Sequence, residues 1–95
     1  ASIIELEFGG PVTSHLPALL VLGLASAGTH SFDVDALVDG GWAPAARRRG
    51  EAWDWDQQVR PFEVVLPDRA RALRVQWAGE PAGLTMVQLL LPRAE

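Results

Sequence analysis

Ala70-Arg71-Ala72-Leu73-Arg74-Val75-Gln76-Trp77 leads through Ala78-Gly79-Glu80-Pro81-Ala82-Gly83 into Leu84-Thr85-Met86-Val87-Gln88-Leu89. Apolar and polar residues alternate on both sides of a Gly/Pro-rich turn. A period of two puts Leu73, Val75 and Trp77 on one face and Arg74 and Gln76 on the other. The stretch therefore reads as two strands of a sandwich, not as a helix.

The same alternation recurs upstream. Ile4, Leu6 and Phe8 alternate with Glu5 and Glu7 until Gly9-Gly10-Pro11 stops the run. Leu16 to Leu24 is the most apolar segment, too short to cross a bilayer and without the basic flank of a secretion signal, so a strand buried on both faces is expected, with Ala18 to Leu24 as the second strand. Phe32, Val34, Ala36 and Val38 alternate with Asp33, Asp35 and Leu37 and close in Asp39-Gly40-Gly41, a hairpin signal because Asp and Gly tolerate positive φ. Trp42 opens the return strand, and Arg47-Arg48-Arg49-Gly50-Glu51 reads as a polar loop. Trp53 and Trp55 come next, then a strand with Phe62, Val64 and Leu66 ended by Pro67-Asp68. Val87, Leu89 and Leu91 complete the pattern before Pro92. About seven or eight short strands with no helical segment make an all-β chain, an antiparallel β-sandwich.

Ninety-five residues suffice for one domain over 1–95 with a single core. A hydrophobic content of 48% argues against intrinsic disorder. The net charge is −4 and all eight cations are arginine, which leaves no basic face for nucleic acid. The absence of cysteine excludes disulfides, thiolate catalysis and zinc–thiolate sites. The lysine-free, arginine- and alanine-rich composition fits a high-GC bacterial gene.

Three blocks resemble discoidin domains, the coagulation factor 5/8 type C family of the galactose-binding-like superfamily. Residues 70–77 and 84–89 are similar to that family's "ARYVRV" and "LTEVEI" strands. Residues 4–13, IELEFGGPVT, are similar to its "IELDLGKPVT", and residues 31–42, SFDVDALVDGGW, to its "YDFEIEVSDDGKNW" hairpin. The blocks keep their order and cover most of the chain. The resemblance implies a jelly-roll sandwich, a non-catalytic carbohydrate-binding function, an extracellular or cell-surface setting, and calcium as an ion that members hold. Family members carry a further segment before the first block, so the chain is expected to be a short or N-terminally truncated member. The final loop, 79–83, lacks the family's Asn and aromatic residue.

Nothing in the sequence forms a catalytic pattern: His15 and His30 stand in no Ser/His/Asp or metal-ligand spacing. Asp33/Asp35 and Asp54/Asp56 are read as solvated strand faces. With strands running alternately up and down, residues 25–30, 46–52 and 78–83 are expected at one end, gathering His30, Arg47, Arg48, Arg49, Glu51 and Glu80, with Trp53 at the margin. Residues 9–17, 39–41 and 66–69 fall at the other end. Aromatic rings stack on sugar faces while Arg, His and Glu bind hydroxyls, so the first end is the expected glycan site. Trp42 and Trp77 are expected in the core. Trp53 and Trp55 share a strand face that is buried by default, and one that proved exposed would be the stacking platform. Arg47–Arg49 reads either as a solvated loop or as an anion site, and His30 either as a turn cap or as a ligand. The alternative function is a structural or protein-interaction sandwich that assembles through an open edge or an exposed apolar face, with another protein chain or with itself.

Overall fold

The computed structural model describes residues 3–14, 16–79 and 83–92. Among these the chain forms seven strands and no helix: β1 (Ile3–Val12), β2 (Ala18–Leu24), β3 (Gly28–Val38), β4 (Gly41–Trp53), β5 (Val59–Val64), β6 (Ala70–Trp77) and β7 (Leu84–Leu90). They build two antiparallel sheets, in the orders β1-β6-β3-β4 and β5-β2-β7. The fold is all-β and sandwich-like, with both sheets contributing to one core.

The period of two decides which residues enter that core. Leu73, Val75 and Trp77 of β6 are 0–1% exposed and meet Phe32, Val34 and Ala36 of β3 in register, as the alternation requires. From the other sheet come Ala18, Leu20, Leu22 and Leu24 of β2, all fully buried, with Phe62 and Val64 of β5. The Phe32 ring meets Phe62 of the opposite sheet at 5.0 Å between centroids, edge to face, and Trp77 at 4.9 Å. Trp53 joins the same cluster, 5.7 Å from Phe62 and 6.2 Å from Trp77. Rings in this range attract through their quadrupoles in addition to the area they bury.

Six expectations need correction. Strand β1 does not stop at Gly9-Gly10-Pro11 but runs through them to Val12, and β5 ends at Val64, before Leu66. Residues 47–51 are not a loop: β4 runs without interruption through them, and two bulges, at its pairing with His30/Phe32 and with Val34/Asp35, absorb its extra residues. Gly50, at φ +64°, lies at the first of these and donates its N–H to Ser31 Oγ. Strand β2 is not buried on both faces, because Leu19 is 38% exposed on the outside of its sheet. Trp42 is not core but 36% exposed, under the Arg74 guanidinium at 4.3 Å. Leu91 lies past the end of β7 and is exposed. The β3–β4 hairpin turns at Asp39-Gly40 as expected, although the positive φ (+112°) falls on Gly41.

Arginine closes one side of the structure. Arg48 of β4 stands opposite Phe32, lies 5.6 Å over the Phe62 ring and donates to the Glu63 carbonyl. Arg60 of β5 lies over Phe62 at 4.9 Å and Trp53 at 5.5 Å, donates to the Ala52 carbonyl and pairs with Glu51 at 3.2 Å. The guanidinium heads lie over core rings and bridge β4 and β5. Truncating the ring at the meeting point of the layers, Phe32→Ala, is expected to lower the unfolding free energy by about 4 kcal/mol in urea titration.

Candidate functional site

Loops 25–27 and 54–58 gather at one end with Gly83, tied by backbone. Ala25 N–H donates to the Gly83 carbonyl (2.7 Å), Gln57 N–H to Ala25 (3.0 Å) and Leu24 N–H to Gln58 (3.2 Å). The expected loop end exists, but 54–58 takes the place that 46–52 was expected to fill. This turn is held further by Ala27 N–H to Asp56 Oδ1 (3.1 Å), Asp54 N–H to Gln58 Oε1 (2.6 Å) and Gln58 N–H to the Trp55 carbonyl (3.3 Å), with Gln57 at φ +62°.

That turn separates the two tryptophans that share a face in the sequence reading. Strand β4 ends at Trp53, which is 2% exposed and cannot stack on a ligand. Trp55 sits on the turn and is 61% exposed. Asp54, Asp56 and Gln57 beside it are exposed as well.

The remaining candidates lie elsewhere. On the extended β4, Arg47 and Arg49 face outward and Arg48 inward, as strand alternation requires. On the outer face of the four-stranded sheet runs a line of charge: Arg49–Asp33 (2.8 Å), Arg47–Asp33 (3.6 Å), Arg47–Asp35 (3.2 Å) and Arg74–Asp35 (3.4 Å), ending where Arg74 covers Trp42. Asp33 and Asp35 do face outward, but as members of this network, and Asp35 is only 9% exposed. Solvent weakens the outer pairs to at most about 1 kcal/mol each, while the sheltered Asp35 contacts hold more strongly. Ser31, Asp33, Arg49 and Gln76 rim a cleft of about 480 Å³ whose aromatic neighbours, Phe32 and Trp77, are buried. Glu51 is occupied by Arg60. Glu80 and His15 lie outside the described residues.

His30 is half-buried and points edge-on at Trp53 (5.8 Å) and Trp77 (6.0 Å). Its Nε2 and the indole nitrogens of Trp53 and Trp77 are buried without hydrogen-bond partners among the described groups. Position 28 is glycine where a Cβ would come within 3.2 Å of that Nε2.

Among the described residues no three His, Asp or Glu side chains gather as a metal site of such ligands would need. No helix among them is long and apolar enough to cross a membrane. No family model matches this chain, and no curated protein or solved structure matches it.

Replacing His30 by Phe keeps the edge-to-face packing and removes an unpaired polar atom. Denaturant unfolding is expected to show a gain of about 1 kcal/mol. Asp56→Ala, which deletes the acceptor for Ala27 N–H, is expected to cost about 1 kcal/mol and to speed hydrogen exchange at that amide.

Proposed function

We propose that this chain is a non-catalytic carbohydrate-binding module of the discoidin, jelly-roll type, with Trp55 as its stacking platform. The observation that carries this reading is a 61% exposed indole on a turn fixed by hydrogen bonds at Ala25, Ala27 and Gln58. An apolar ring held in water at the tip of a rigid turn has no stabilising role within the core. It suits the apolar face of a sugar ring, and Asp54, Asp56 and Gln57 around it suit the hydroxyls. Because the turn is already ordered, binding costs little further conformational entropy.

The resemblance supports the same reading, since its three blocks fall on β1, on the β3–β4 hairpin and on β6 with β7. The cleft beside Arg49 is less suited. Arg49 and Asp33 already satisfy each other, and the rings near it are buried, leaving no surface for stacking. The site is therefore narrower than the sequence reading: of its seven described residues, Trp55 alone is kept. A single exposed platform gives weak affinity, on the order of millimolar or about −4 kcal/mol, and function would rest on several copies acting on one glycan.

Intrinsic fluorescence during titration with mono- and oligosaccharides tests this directly. Trp53 and Trp77 are buried and Trp42 lies under Arg74, so a saturable change is expected from Trp55. Trp55→Ala is expected to abolish that change and leave the unfolding midpoint in place. A flat response to galactosides, glucosides and a glycan array at millimolar concentration would sink the reading.

A further inference from the structure

Trp55 stands between two carboxylates. Asp54 and Asp56, its neighbours in the chain, are exposed beside it. Adjacent Cα atoms lie about 3.8 Å apart, so both charges fall within about one Debye length of the indole at physiological salt. Asp56 accepts from Ala27 N–H through Oδ1, and no described donor meets its second oxygen. Asp54 is held through its own N–H, which donates to Gln58 Oε1, while its carboxylate accepts no hydrogen bond among the described residues.

The arginines neutralise other acids. Asp33 and Asp35 meet Arg47, Arg49 and Arg74, Asp39 meets Arg71 at 2.9 Å, and Glu51 meets Arg60. Among the described residues no cation pairs with Asp54 or Asp56. The segments around the turn add none: residues 25–27 are Ala-Ser-Ala, Gly28 and Thr29 open β3, Val59 opens β5, and Ala78 and Gly83 are uncharged. Arg60, next in the chain after Val59, is held by Glu51 and lies over Trp53 and Phe62. Glu5, Glu7, Glu63 and Asp68 also pair with no described cation, but none of them neighbours an exposed ring in the chain.

The charged groups at the turn are therefore acceptors only. Sugar hydroxyls can donate to them, but so can water. A carboxylated sugar would meet like charge there and no cationic donor. A protonated amine suits both parts of the site, because it brings three donors to the carboxylates and a positive charge that the face of an indole attracts.

We propose, on the reading of Trp55 as the stacking ring, that this site selects sugars carrying a free amine over neutral and acidic ones. The C–H face of a hexosamine lies on the indole, and its ammonium is drawn to Asp54 and Asp56. N-acetylation removes the charge and with it the preference.

The test is a fluorescence titration of the whole chain with sugars that differ in one substituent: glucose, glucosamine with its amine protonated, N-acetylglucosamine and glucuronic acid, with the galactose series alongside. At about 20 mM salt the hexosamine is expected to bind about fivefold more tightly than its neutral parent, the gain supplied by exposed cation–π and ion-pair contacts. N-Acetylglucosamine is expected to match glucose, and glucuronic acid to bind more weakly. Raising the salt to about 500 mM is expected to bring hexosamine and hexose together. Asp54→Asn and Asp56→Asn are each expected to narrow the ratio between the two sugars. Asn at position 56 keeps an acceptor for Ala27 N–H, and if the turn still loosens, Asp54→Asn decides. Neutral sugars that bind while the amine adds nothing overturn the amine preference and leave the platform standing. No response to any of these sugars overturns both. Tetramethylammonium or lysine amide binding as tightly as glucosamine overturns the preference in favour of a cation site indifferent to sugar.

Discussion

The contact between Phe32 of β3 and Phe62 of β5 joins the two layers, and the neighbouring elements are arranged around it. Trp77 supports Phe32 within its own layer, Trp53 rests on Phe62 from the end of β4, and His30 sits edge-on to both tryptophans. A chain of this size has little core to spare, so concentrating its rings in one cluster gives the layers a fixed relative position. The cluster also explains the extra length of β4. Only a strand that continues to residue 53 can bring Trp53 into it, and the bulges at Gly50 and near Ala45 keep its pairing with β3 along that length.

Arginine serves two distinct purposes. Arg47, Arg49 and Arg74 alternate with Asp33 and Asp35 across the outer sheet face, where planar guanidinium groups bridge carboxylates on neighbouring strands. Arg48 and Arg60 instead cover core rings and close a seam between layers. Arg74 does both, pairing with Asp35 and stacking on Trp42. An ammonium could supply the charge but not the flat stacking surface, which gives the lysine-free composition a structural use.

The layers were legible in the sequence wherever alternation was clean: β3 and β6 follow their apolar residues, and the β3–β4 turn falls on Asp39-Gly40. The site was mostly not legible, for two reasons. Three consecutive arginines hide a strand, because Arg48 occupies an inward position normally held by an apolar residue and lays its guanidinium over the Phe62 ring. Trp53 and Trp55 look equivalent at a spacing of two, and only the end of β4 between them separates a core ring from an exposed one. The signal that could have placed that break is Asp54-Trp55-Asp56-Gln57-Gln58, a polar run whose Asp and Gln side chains cap the turn. Trp42 was missed because cation stacking from a strand two places away leaves no trace in local pattern.

The seam formed by Arg48, Arg60 and Glu51 has a mechanical meaning. With one long side closed by these contacts and the opposite side sealed only by half-buried residues of β1 and β7, the layers are expected to part at the β1–β7 margin, as the covers of a book part away from its spine. Thermal opening then begins at the fore-edge and costs far less there than global unfolding. Water reaches Val87 and Leu6 before it reaches Phe62. The aromatic cluster lies next to the spine, so the molecule can part its free margin without disturbing the contact that defines its shape.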